Sequence, residues 1–117
     1  MLLLTKEIRK TLRANADKQA PVKGTDAEID FEPVLKLFNP CGAATWLFTE
    51  LDADGDTLFG LCDMGFGEPE LGYASLAEIS QVRLRFGLGI ERDLHFRASK
   101  RLSEYASEAR STGRIAA

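Results

Sequence analysis

The chain has 117 residues, 44% hydrophobic and 28% charged, and its 15 basic and 18 acidic side chains leave a formal net charge of −3. That length fits one domain, 1–117, with a core large enough to fold without staples, and the composition excludes a collagen-like chain, a disulfide scaffold, a long coiled coil and wholesale disorder. A mildly acidic domain also lacks the electrostatic footprint of non-specific DNA binding, which argues against a histone-like or ribosomal role.

Thr5 predicts the N-cap of a helix running to about Ala16, with Glu7 in the first turn and Ile8 and Leu12 as an i, i+4 apolar pair. Residues 17–32 carry Pro21, Gly24 and little periodicity, and read as a loop free to move. A strand is expected over 34–38, then a turn at 39–42 in which Pro40 forces Asn39 out of the helical region. Residues 45–63 read as a hairpin: a β-branched and aromatic strand over 45–51 with Trp46, Phe48 and Glu50 on one face, an Asp/Gly turn at 52–56, and a return strand over 57–63.

Residues 64–72, with three glycines and Pro69, read as a loop, and Tyr73 begins a short extended piece. Ser75 and Glu78 have capping-box spacing, so a helix is expected through about Leu84, ended by Gly87 or Gly89. Residues 90–96 alternate as a half-buried strand, with Ile90, Leu94 and Phe96 on one face beside Arg92. An arginine on an apolar face needs a carboxylate partner, for which Glu70 and Asp63 are the candidates. Ser99 caps a last helix with Leu102, Tyr105, Ala106 and Ala109 inward and Gly113 near its end, and residues 114–117 fray. The order α-β-β-β-α-β-α with short turns predicts an α+β fold: a small antiparallel sheet of about four to five strands packed by two to three helices.

No run approaches 18 apolar residues, and the opening Met1-Leu2-Leu3-Leu4 stops at Thr5 and Lys6, so neither a membrane span nor a signal peptide is expected. Cys41 and Cys62 are too few for a disulfide framework and fit thiols in a cytoplasmic setting.

Four blocks carry a family resemblance: Leu3-Leu4-Thr5-Lys6-Glu7-Ile8-Arg9, Leu58-Phe59-Gly60-Leu61-Cys62-Asp63, Glu70-Leu71-Gly72-Tyr73-Ala74-Ser75-Leu76 and Gly89-Ile90-Glu91-Arg92-Asp93-Leu94-His95-Phe96. In this order, over residues 2–97, they resemble the bacterial domain-of-unknown-function family 2958 (DUF2958). The resemblance implies a small stand-alone protein of conjugative plasmids and integrative elements, and it brings no catalytic residue.

The sharpest functional feature is charge segregation. Between Leu37 and Val82 there is no lysine or arginine, and the acids Glu50, Asp52, Asp54, Asp56, Asp63, Glu68, Glu70 and Glu78 give that segment a net −8; residues 83–117 net +4. If the 52–56 turn and the 64–72 loop share one end of the sheet, Glu50, Asp52, Asp54, Asp56, Asp63, Glu68 and Glu70 form one acidic surface. Such a surface receives a basic protein partner or mimics a nucleic-acid backbone, as in anti-restriction; otherwise it is a solvated face. Asp52, Asp54, Asp56 and Asp63 also fall at positions 1, 3, 5 and 12 of a calcium loop. Thr57 stands where that template needs glycine, a strand follows where it needs a helix, and no metal or other cofactor is expected.

His95 is the only histidine, which removes multi-histidine metal sites, and its pairing with a cysteine is not readable from spacing. Arg83, Arg85, Arg97, Lys100 and Arg101 form an alternative, nucleic-acid-binding set in the basic last third, without the aromatic interleaving of single-strand binders. The first expectation is a non-enzymatic accessory protein of a mobile element acting through its acidic middle. Nucleic-acid binding is the alternative, and an enzyme with an unrecognised site a further one.

Overall fold

The Thr5 hydroxyl accepts from the Ile8 N–H at 3.1 Å and opens helix α1 over Lys6–Gln19, three residues longer than expected. This computed structural model describes residues 2–117. Five strands follow: β1 Leu35–Phe38, β2 Thr45–Leu51, β3 Thr57–Asp63, β4 Glu70–Ser75 and β5 Glu91–Arg92. They pair antiparallel in the order β4-β3-β2-β1-β5, with α2 Leu76–Gln81 after β4 and α3 Leu102–Thr112 near the end of the chain. This is the α+β architecture read from the order of elements.

Strand side chains alternate between the two faces of the sheet. Leu35, Leu37, Trp46, Phe48 and Leu58 pack with Leu12 of α1 and Ile79 of α2 on the first face. Leu47 and Leu61 pack under Leu102, Tyr105, Ala106 and Ala109 of α3 on the second, and these four are the predicted inward stripe. Leu35 opposite Phe48 is the last β1–β2 pair, so β2 outruns its neighbour. Helix α1 fills the gap: Asn15 Nδ2 donates to the Thr49 carbonyl at 3.0 Å and Arg13 Nη1 to the Leu51 carbonyl at 2.7 Å. An otherwise unpaired strand edge is thereby satisfied.

Several expectations are corrected. The β2–β3 register shifts between Phe48 and Glu50, so Thr49 is an extra residue and Glu50 stands opposite Phe59. Phe59 belongs to the second face, and Glu50 therefore leaves the face of Trp46 and Phe48, because a bulge reverses the alternation. Strand β4 begins at Glu70, ahead of the expected Tyr73, its glycine being compatible with an edge position. Helix α2 stops at Gln81, not about Leu84, since Val82 is already extended and the Leu84 N–H closes a loop onto the Leu88 carbonyl at 2.7 Å.

The long strand expected over 90–96 shrinks to two residues because the Asp93 carboxylate turns back to accept the His95 N–H at 2.9 Å. Arg92 does fall on the first face, opposite Leu37, but Nη1 donates to the Leu2 carbonyl at 2.6 Å. Glu70 is on the other outer strand, roughly 19 Å away across four strand spacings, and Asp63, opposite Thr45, faces the opposite side. Ser99 does not cap α3. Its N–H bonds the Tyr105 hydroxyl at 3.0 Å, while Asp30 reaches the first turn of α3 through the Ser103 N–H at 3.1 Å and the Ser103 hydroxyl. Gly113, at φ 83°, ends α3 in the left-handed region that favours glycine. Beyond it, where fraying was expected, the Ile115 N–H donates to Asp63 at 3.1 Å and its side chain packs on the α3 core.

Candidate functional site

The topology first decides the fate of the acidic segment. The 52–56 turn closes β2–β3 at one end of the sheet, and residues 64–69 close β3–β4 at the other. Seven residues of strand separate them by about 20 Å. The condition for one acidic surface therefore fails: Asp52, Asp54 and Asp56 lie at one end, Glu68 and Glu70 at the other. Asp63 is only 2% exposed, because its carboxylate accepts the N–H groups of Gly65 at 2.9 Å and Ile115 at 3.1 Å.

Two of the turn carboxylates build local structure. Asp54 accepts from the Thr57 hydroxyl at 2.6 Å and from the Thr57 and Asp56 N–H groups at 2.8 Å, bonds that hold its carboxyl below the usual range. Asp56 accepts from the Ser75 hydroxyl at 2.7 Å and the Ala77 N–H at 2.8 Å, tying the turn to the start of α2. Asp54 and Asp56 thus face separate donor sets, and no group of three or more His, Cys, Asp or Glu is placed to share a metal ion among the described residues.

The basic set is divided as well. Val82 and Leu84, beside Arg83 and Arg85, pack on the first-face core, whereas Phe96, Ala98 and Leu102, beside Arg97, Lys100 and Arg101, pack on the second. Arg83 bonds the Ser80 and Val82 carbonyls at 3.1 and 3.2 Å, Arg101 bonds the Asp30 carbonyl at 2.7 Å, and Lys100 pairs with Glu108.

Between these regions lies a groove. Helix α3 covers Leu47 and Leu61 but leaves the turn end of the second face open, where two cavities of about 250 and 320 Å³ meet at Gln19, Glu50 and Phe59. The floor is aromatic: Phe59 and Tyr73, cross-strand partners on β3 and β4, have ring centroids 5.1 Å apart at 53°. Tyr73 is 56% exposed and Leu71 40%. The wall is formed by residues after α1, fixed by the buried Gln19 amide. Its Nε2 donates to the Ile29 carbonyl at 2.7 Å and its Oε1 accepts the Ile29 N–H at 2.8 Å. The segment expected to be a mobile loop is thus clasped like a short ladder.

Glu50 sits where the cavities join. Loss of water pushes its carboxyl above the usual range, against the opposing pull of the Gln19 hydrogen bond and the Lys23 charge, while Glu28 adds to the rise. Lys23 Nζ donates to the Tyr73 hydroxyl, which raises the lysine, and Glu50 and Asp52 add to that rise. The ammonium also lies over the Tyr73 ring, 4.9 Å from its centroid. The result is a half-buried carboxylate over aromatic rings with Glu28 and Asp52 nearby, suited to binding a cation carried on an apolar stem. Of the two thiols, Cys62 is pushed up to about 11 by burial and Cys41 is exposed.

A family model described as "Protein of unknown function (DUF2958)" matches residues 3–116. The chain belongs to DUF2958. No curated protein and no solved structure matches it. The four blocks that carried the resemblance form the start of α1, strand β3, strand β4 with the start of α2, and the β5 region. The match extends beyond the expected residue 97 to take in α3.

In this DUF2958 protein, sequence reasoning named Glu50 and Asp52 of the groove but missed Gln19, Lys23, Glu28, Phe59 and Tyr73. Period-two alternation puts Phe59 and Tyr73 on one face each, yet only the pairing register brings the rings together. Lys23 and Tyr73 are 50 positions apart, and no local signal links them.

Proposed function

We propose that this DUF2958 protein is a non-catalytic accessory protein acting by protein–protein contact, and that it receives a basic segment of its partner in the groove at Glu50. The observation that carries this reading is the half-buried Glu50 carboxylate at the junction of two cavities over the Phe59 and Tyr73 rings. A partner lysine or arginine set there meets a partly desolvated carboxylate and aromatic surface for its stem. The acidic surface first read from the sequence is thereby narrowed to Glu50 and Asp52, joined by the wall residue Glu28. A mobile-element setting in the cytoplasm, implied by the family resemblance and the thiols, belongs to the same proposal.

The test is an NMR titration of the isotope-labelled chain with a capped nine-residue peptide alternating lysine and valine. Resonances of Lys23, Glu50, Phe59 and Tyr73 should move, with affinity falling at high salt and at least several-fold in E50Q. Shifts scattered over other surfaces, or an E50Q protein that binds as well as wild type, would overturn the reading. The nucleic-acid alternative has no comparable support, because its five cations flank opposite faces of the sheet.

A further inference from the structure

We infer that the basic segment enters as an added strand on the free edge of β4, an inference that rests on the groove reading and specifies its mode of recognition. Strand β4 is an outer strand of the sheet. The bond from the Leu76 N–H to the Asp56 carbonyl, at 2.9 Å, fixes the phase of its ladder. It makes Thr57 and Ser75 a pair that exchanges no bonds with each other, so Glu70, Gly72 and Ala74 turn their backbone groups toward β3. Leu71 and Tyr73 turn theirs outward, and among the described residues no turn, loop or cap bond uses their backbone.

The same two residues carry the exposed side chains of the groove floor. Backbone groups ready to pair and side chains ready to be covered therefore coincide. The edge also lacks the usual protection: β4 contains no lysine, proline or bulge, whereas β5 at the opposite edge is only two residues long. An added strand would place alternate side chains beside Leu71 and Tyr73, on the face of the sheet that carries Phe59 and, two strands further in, Glu50, and its others beside Gly72 and Glu70.

Charge selects the occupant. Glu68 and Glu70 stand at the head of the strand, Glu28, Glu50 and Asp52 outnumber the single Lys23 around the groove, and no basic residue lies between Leu37 and Val82. A second copy would bring its own Glu68 and Glu70 to an edge that already carries them, whereas a strand rich in lysine or arginine complements them.

Amide exchange separates this inference from the groove reading. In the free chain, the Leu71 and Tyr73 amides should exchange fast and those of Gly72 and Ala74 slowly. With the lysine–valine peptide bound, exchange at Leu71 and Tyr73 should slow at least tenfold. A peptide with proline in place of valine should bind at least tenfold more weakly. L71P, which removes an outward N–H, should lose at least tenfold in affinity beyond L71A, with peak dispersion reporting that the fold is kept. Binding that moves Glu50 and Phe59 but leaves the Leu71 and Tyr73 amides unprotected would overturn the added strand and spare the groove reading. Absence of any binding would overturn both. A dimer whose Leu71 and Tyr73 amides are protected without peptide would give the edge to a second copy and overturn the inference.

Discussion

Replacing Gly60 by alanine tests the packing of the sheet most severely. Gly60 stands opposite Phe48, next to the register shift, and a Cβ built there would lie 1.9 Å from the Leu47 carbonyl oxygen and 2.7 Å from the Phe48 Cα. Both are backbone atoms of the adjacent strand, so no rotamer change relieves the overlap. Reaching an ordinary contact needs more than about 1 Å of strand separation, which breaks one or two ladder bonds and opens the core beside Leu58. Overpacking costs about 1–3 kcal/mol and each lost bond about 1 kcal/mol, so G60A should lose roughly 3–5 kcal/mol, a large share of the stability of a domain this size. G72A is the internal control: Gly72 is the cross-strand neighbour of Gly60, and nothing lies within 4 Å of its added Cβ. Urea unfolding followed by circular dichroism should show a large fall in midpoint for G60A and a change within about 0.5 kcal/mol for G72A. Equal midpoints for the two variants would refute the close approach at Gly60.

Three other outcomes follow from the contacts described. Glu50 has its folded-state carboxyl raised above 4.5 by burial, so the folded state binds the proton more tightly and stability falls as pH rises through that range. E50Q should therefore melt higher than wild type at pH 7.5 and alongside it at pH 3.5; an equal gap at both would contradict the burial argument. D63A leaves the Gly65 and Ile115 N–H groups without their acceptor and should cost about 2–3 kcal/mol, with faster proteolysis at the C-terminal end, while D63N loses less. At pH 8 a disulfide reagent should label Cys41 rapidly and Cys62 slowly, since burial holds the Cys62 thiol near 11; a fast phase that survives C41S would reverse that assignment.

Local chemistry was legible from the sequence and long-range register was not. The bounds of β2 and β3, the Thr5 and Ser75 caps and the inward stripe of α3 follow from neighbours within four residues, and the structure agrees with each. The start of α3 shifted because Asp30, more than 70 positions away, supplies its first-turn acceptor. Glu50 changed face because of one extra residue at Thr49, which composition does not announce. Arg92 was rightly placed on the apolar face, yet its partner is a backbone carbonyl at Leu2, a kind of acceptor no sequence pattern marks. The acidic run looked like one surface only because sequence proximity hides the reversal of direction between a turn and the next loop.

The segment between α1 and β1 joins more than it encloses. Gln19 of α1 clasps it at Ile29, and at the next two residues Asp30 holds Ser103 and the Phe31 carbonyl accepts the Leu102 N–H at 2.9 Å. Two helices on opposite faces of the sheet thus share one belt, and the belt is also the groove wall. Loosening the wall and undocking the head of α3 become a single opening event, visible as one cooperative unit in hydrogen exchange. A ligand that grips the wall would slow that event at α3 without touching the helix, giving a surface contact a readout near the far end of the chain.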